Sequence, residues 1–130
     1  MISPEQFARV LVERLAPILP AGFAAHADAG AVHIDAPDGF GSATHIAELL
    51  DRDDLLAEDY ASAAWTVLSM AQDVVSESTT DPWPAALGPG GDLAEPGTKV
   101  DGAHIHLWFG AEDQPVLALS PIDLGQEPGS

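Results

Sequence analysis

Apolar residues near the start of the chain recur every three or four positions, the spacing of one face of a helix. These residues are Phe7, Val10, Leu11, Leu15 and Ile18. Ser3 and Gln6 are placed to form a capping box around Pro4, a residue that suits the first position of a helix. The pattern predicts a helix that begins at Pro4 and buries one face, and Pro17 and Pro20 bound its end.

From residue 22 to residue 37 the pattern changes to alternation of apolar and polar residues. Val32 and Ile34 alternate with His33 and Asp35, a pattern typical of a half-buried strand. The preceding residues 28–31 have the composition of a turn. The segment is therefore predicted to form a β-hairpin with Val32 and Ile34 facing the core.

The hairpin register follows if residues 29 and 30 form a two-residue loop. Asp28 then pairs with Ala31, and His26 lies opposite His33 on the polar face. Residues 42–50 permit two interpretations, because they suit a third strand but Ser42 can also cap a short helix. We favour the strand.

A long helix is predicted to begin at Asp51 or Asp53 and to end near Ser78. Acidic residues in its first turn suit the helix dipole. Its buried seam is expected to consist of Leu56, Tyr60, Ala64, Val67, Ala71 and Val74 or Val75.

The rest of the chain contains a connection, a hairpin and a tail. Residues 79–98 are rich in proline and glycine and are predicted to form a long loop. Residues 103–109 and 115–119 are predicted to form a second hairpin, with Ile105, Leu107 and Phe109 facing the core. Residues 125–130 are predicted to be a flexible tail. The order predicts one α+β domain over residues 1–124, with an antiparallel sheet and helices packed on one of its faces.

Composition narrows the function classes. Of the 130 residues, 46% are hydrophobic, which is typical of a folded protein, and the net charge is −17. This charge disfavours binding to nucleic acid and to anionic membranes. The sequence has no cysteine and no long apolar run, and residues 1–5 lack the basic and apolar regions of a signal peptide, so we expect a cytoplasmic protein without disulfides.

The element order and the acidity together resemble the small acidic chaperones of type III secretion systems. The resemblance extends over most of the chain. It implies a dimeric, non-enzymatic domain that holds another protein.

Histidines supply the main candidates for metal chemistry. His104 and His106 lie on one face of a predicted strand, and His26 and His33 face each other beside Asp35. If the two hairpins share a sheet, four of the five histidines lie on its outer face. Imidazoles with a carboxylate bind Zn²⁺, so this face is an alternative, metal-dependent site.

Two further patterns are relevant to partners. A run of acidic residues resembles a row of phosphates: Glu48, Asp51, Asp53, Asp54, Glu58 and Asp59. A further alternative function is therefore an acidic nucleic-acid mimic, which would occupy a nucleic-acid-binding partner. Trp108 shares the face of His104 and His106, and Trp83 lies between two prolines; both are candidate partner-binding residues.

No serine stands in a nucleophile-elbow context, and we expect no catalytic residue and no cofactor. The preferred hypothesis is a protein-interaction or chaperone-like module, which binds another protein and forms a homodimer.

Overall fold

The computed structural model describes residues 2–80, 83–84 and 94–125. Its helices are α1 (Pro4–Leu15), α2 (Ile46–Leu49) and α3 (Ala57–Thr79), and a single 3₁₀ turn, Ala16–Ile18, follows α1. Its strands are β1 (Ala24–Asp28), β2 (Ala31–Asp35), β3 (Gly41–His45), β4 (Pro96–Asp101), β5 (His104–Gly110) and β6 (Pro115–Asp123). The α+β class is confirmed. No helix in these ranges is long and apolar enough to span a membrane.

Helix α1 begins at Pro4, as predicted. The Gln6 amide donates to Ser3 Oγ, and the Ser3 amide donates to Gln6 Oε1, both at 3.2 Å. This capping box satisfies two amides that the helix leaves unpaired at its start. Phe7, Leu11 and Leu15 are fully buried, whereas the predicted seam residues Val10 and Ile18 are half-buried.

The first sheet has the order β1-β2-β3, and its predicted register is confirmed. Asp28 pairs with Ala31 and His26 pairs with His33. Ala29 and Gly30 both have positive φ angles, 52° and 78°, which suit a tight turn between twisted strands. Both interpretations of residues 42–50 hold in part, because β3 ends at His45 and the short helix α2 follows it.

Helix α3 begins later than predicted. The predicted starts Asp51 and Asp53 precede it, and Leu56 takes the N-cap position. Asp59 fixes this start because its Oδ2 accepts from the Leu56 amide at 2.8 Å and its Oδ1 pairs with Arg52. These two partners, the amide first, lower the pKa of Asp59. Leu56, predicted to be in the buried seam, is 62% exposed because it lies outside the helix.

The second sheet has three strands, β4-β5-β6, where a two-stranded hairpin was predicted. The predicted loop over 79–98 is too long, since β4 begins at Pro96 and pairs Thr98 with Leu107. Proline is tolerated there because it occupies the first residue of an edge strand. The rest of the predicted loop includes residues 81–82 and 85–93, which lie outside the described residues, as does the tail from residue 126.

The strands form two sheets, where one was expected, and α3 lies between them. Helix α3 contacts β2 and β3 of the first sheet and β4 and β5 of the second, while α1 contacts β1, β2 and β6. The buried apolar residues of both sheets and both helices form one cluster. Two rings join the helices inside it, because Phe7 and Tyr60 meet edge to face at 4.9 Å.

Tyr60 also ties the ends of the fold together. Its buried hydroxyl donates to the Ile2 carbonyl at 2.7 Å. The Ile2 amide donates to the Leu124 carbonyl at 2.9 Å, and the Leu124 amide donates to the Ala103 carbonyl at 2.7 Å. The segment before α1, the start of α3 and the end of β6 are thus held by one chain of hydrogen bonds.

The assignment of the inner strand face can be tested at Leu107. Leu107 is 1% exposed, so Leu107→Ala should lower the free energy of unfolding by about 2–5 kcal/mol, through lost burial and the cavity that remains. Leu49 is 51% exposed and is the matched control, with an expected change below about 0.5 kcal/mol. Urea unfolding measures both. Similar losses at the two sites would contradict the assignment.

Tyr60 should make stability fall at high pH. Burial raises the pKa of its phenol above the ordinary value of about 10. The unfolded chain therefore loses this proton first, so the stabilisation is complete below about pH 10 and is lost as the pH rises through the folded pKa.

Tyr60 is the only tyrosine in the chain, so tyrosinate absorbance reports this residue alone. We expect a higher titration midpoint in the folded protein than in denaturant, and a weaker loss of stability at alkaline pH in Tyr60→Phe. Equal midpoints in the two states would show that the hydroxyl is not shielded.

Candidate binding face on the second sheet

Strand β5 separates two kinds of side chain. Ile105, Leu107 and Phe109 point into the core and are buried. His104 is exposed, and His106 and Trp108 are half-buried on the opposite, outer face. The alternation of a strand thus places an aromatic ring on the side of the sheet away from the core.

Trp108 rests on a glycine of the neighbouring strand. Gly97 pairs with Trp108, and a β-carbon added at Gly97 would lie 2.5 Å from Cε2 of the indole. The ring therefore covers the backbone of β4, and only glycine leaves it the space to do so. On its other side, β6 presents the small residue Ala118 opposite Trp108.

A pocket of about 430 Å³ opens beside this ring. We call it the Trp108 pocket, and its lining includes Lys99, Asp101, His106, Trp108, Glu112 and Ala118. The volume lies within the range of pockets that bind small molecules.

The polar groups around the Trp108 pocket pair with one another. Lys99 Nζ lies 3.6 Å from Glu112 Oε2, and His106 Nε2 lies 3.9 Å from Asp101 Oδ2. Asp101 and Glu112 outnumber Lys99, so these three charged side chains together make the rim negative. Because these side chains are largely exposed, the pairs themselves add little stability.

The structure separates the predicted histidine cluster. His26, His33 and Asp35 lie on the outer face of the first sheet, whereas His104 and His106 belong to the second sheet. Within residues 2–80, 83–84 and 94–125, no group of three or more histidine, aspartate or glutamate side chains is arranged to hold a metal ion. The four histidines therefore do not form the single site that a shared sheet would create.

Trp83 has a different environment from Trp108. Its ring packs against Phe109 with centroids 5.6 Å apart, and its amide donates to Ser76 Oγ at 3.2 Å. The next residue, Pro84, is buried and its carbonyl accepts from the Ala94 amide. Trp83 therefore contributes to the core beneath β5, while Trp108 lies on the outer face.

The acidic row that suggested a nucleic-acid mimic spans the link between α2 and α3. Glu48 lies in α2, while Asp51, Asp53 and Asp54 precede α3. Asp59 stabilises the start of α3, because it accepts a hydrogen bond from the Leu56 amide and forms an ion pair with Arg52. The row is therefore divided between a solvated loop and residues that hold local structure.

Sequence reasoning missed three residues that shape the two outer faces. Gly97 and Asp101 lie on β4, which was not predicted because the segment before it is rich in proline and glycine. His45 lies two residues beyond Ala43, which pairs with His33, and so it shares the outer face of the first sheet. The alternation rule would have identified His45 once β3 was accepted as a strand.

Comparisons of the chain with family models, with curated proteins and with solved structures find no match.

The packing of the Trp108 ring on Gly97 can be tested with the substitution Gly97→Ala. The added methyl group must displace the indole, which should cost roughly 1–3 kcal/mol of unfolding free energy. In a Trp108→Ala background the same substitution should cost much less, because the ring is gone. A double-mutant cycle by chemical unfolding measures this coupling, and an equal cost in both backgrounds would show that the ring does not restrict residue 97.

Proposed function

We propose that this chain is a non-enzymatic protein-interaction module that binds a positively charged segment of another protein at the Trp108 pocket. The observation that carries the proposal is a half-buried tryptophan, seated on Gly97, beside a pocket whose rim bears two carboxylates and one lysine. We further propose that it acts in the cytoplasm, since the chain has no cysteine.

The indole supplies the apolar part of the site. Tryptophan is enriched among the residues that dominate interface energies, especially where it lies in a pocket. One side of the Trp108 ring covers Gly97, which limits its movement before a partner arrives. The face of such a ring also attracts a lysine or arginine head group.

Charge selects the kind of partner. Asp101 and Glu112 on the rim, together with the net charge of −17, favour a basic segment and speed its approach. A second copy of the chain would bring another charge of −17 to the same surface. The homodimer implied by the chaperone resemblance stays a prediction, and a basic partner agrees better with this charge.

Selection of a displayed library of random peptides on the immobilised protein tests the proposal. We expect the recovered peptides to combine arginine or lysine with an apolar residue, and their binding to weaken as salt rises. Trp108→Ala should weaken binding at least tenfold.

The matched control is Phe40→Ala, since Phe40 is an aromatic residue that is 42% exposed on the loop before β3. Both variants keep the full negative charge, so general attraction of basic peptides affects them equally. The proposal fails if the peptides bind Trp108→Ala as tightly as they bind Phe40→Ala, or if the recovered peptides have no excess of basic residues.

A further inference from the structure

The outer face of the first sheet carries three of the five histidines. His26 on β1 lies directly opposite His33 on β2, and His45 on β3 shares their face. On the β3 side, His33 faces only the small side chain of Ala43. The register therefore gathers imidazoles on one side of three adjacent strands.

Two of these rings are in contact. The His26 and His33 rings are parallel to within 2°, with centroids 4.7 Å apart. Asp35 lies beside them, because its Oδ2 is 3.4 Å from Nδ1 of His26. This contact leaves Nε2 as the second nitrogen of His26, and a carboxylate on one nitrogen is the usual support of a histidine that binds metal through the other.

We propose that His26 and His33 form an exchangeable site for a divalent first-row transition metal ion such as Zn²⁺, with Asp35 orienting His26. Two Zn–N bonds of about 2.0–2.1 Å in tetrahedral geometry place the nitrogens about 3.3 Å apart. The stacked rings must therefore tilt towards each other. The His26 side chain is 53% exposed and has the freedom to do so.

Water completes the coordination, because no third side chain in the described part of the chain is arranged with these two rings to hold a metal ion. His45 lies on the same face as the diagonal neighbour of His33 across β2 and β3, at a separation of about 7–8 Å, and is not one of the proposed ligands. Asp28 and Asp35 on the same face add negative charge that attracts a cation.

Imidazole ligands determine the class of ion. They suit Zn²⁺, Ni²⁺ and Cu²⁺, whereas Mg²⁺ and Ca²⁺ prefer oxygen ligands. A chain with a charge of −17 attracts every cation to some degree. A comparison of Zn²⁺ binding with Mg²⁺ binding therefore distinguishes a site built from imidazoles from general attraction of cations by carboxylates.

Titration calorimetry with Zn²⁺ and with Mg²⁺ tests the proposal, together with thermal melts. We expect one Zn²⁺ per chain at the strongest site, a melting temperature that rises with Zn²⁺ concentration, and no comparable effect of Mg²⁺. His26→Ala/His33→Ala should lose this binding at least tenfold. His45→Ala should keep most of this binding, because water completes the site.

The second sheet provides the matched control. His104→Ala/His106→Ala also removes two histidines, each with an aspartate nearby, but these two residues are two positions apart on one strand. This variant should bind Zn²⁺ like the wild type. Equal loss in the two double variants, or none in His26→Ala/His33→Ala, would overturn the proposal.

NMR of the wild-type protein decides the question if a variant fails to fold. The ring protons of His26 and His33 should shift during the Zn²⁺ titration before those of His104 and His106. Simultaneous shifts in all four residues, or shifts that begin in the second sheet, would also overturn the proposal.

Discussion

The fold depends on helix α3, which packs against both sheets. A three-stranded sheet has one apolar face to bury, and each sheet here turns that face towards α3. Alanines 61, 63, 64 and 71 of α3 are buried, and their small side chains let strands approach the helix from more than one direction. Larger residues, such as Val67 and Leu68, fill the spaces between them. Because α3 and α1 cover the inner faces of the two sheets, each outer face is left to carry polar and aromatic side chains.

Local patterns determined the first hairpin but not the arrangement of the sheets. The alternation around Val32 and the two-residue turn fix the register, so the pairing of His26 with His33 follows from the sequence. Whether β2 and β5 share a sheet depends on contacts made through α3, which have no local pattern. The four histidines that a shared sheet would have brought together are therefore divided between two sheets, although each pair occupies the outer face of its own sheet.

The candidate site was predicted in part for the same reason. Trp108 was recognisable because it alternates with Leu107 and Phe109. Gly97 was not recognisable, because in the sequence it belongs to a segment rich in proline and glycine, whose composition predicts a loop. Its role depends on cross-strand pairing, which places the indole over its backbone. An aromatic ring that covers a glycine thus offsets part of the stability that the glycine costs the strand.

Both edges of the second sheet are engaged by helices, and this favours recognition by its face over addition of a strand. At the β4 edge, Trp65 of α3 donates to the Pro96 carbonyl at 3.1 Å. At the β6 edge, Arg14 of α1 donates to the carbonyls of Ser120 and Pro121 at 3.0 and 3.1 Å, where β6 bulges opposite β5. An incoming strand would have to displace these contacts, and the bulge disrupts the regular spacing that it needs. A partner on the Trp108 side meets no such cost, because it can bind side chains without pairing with the backbone.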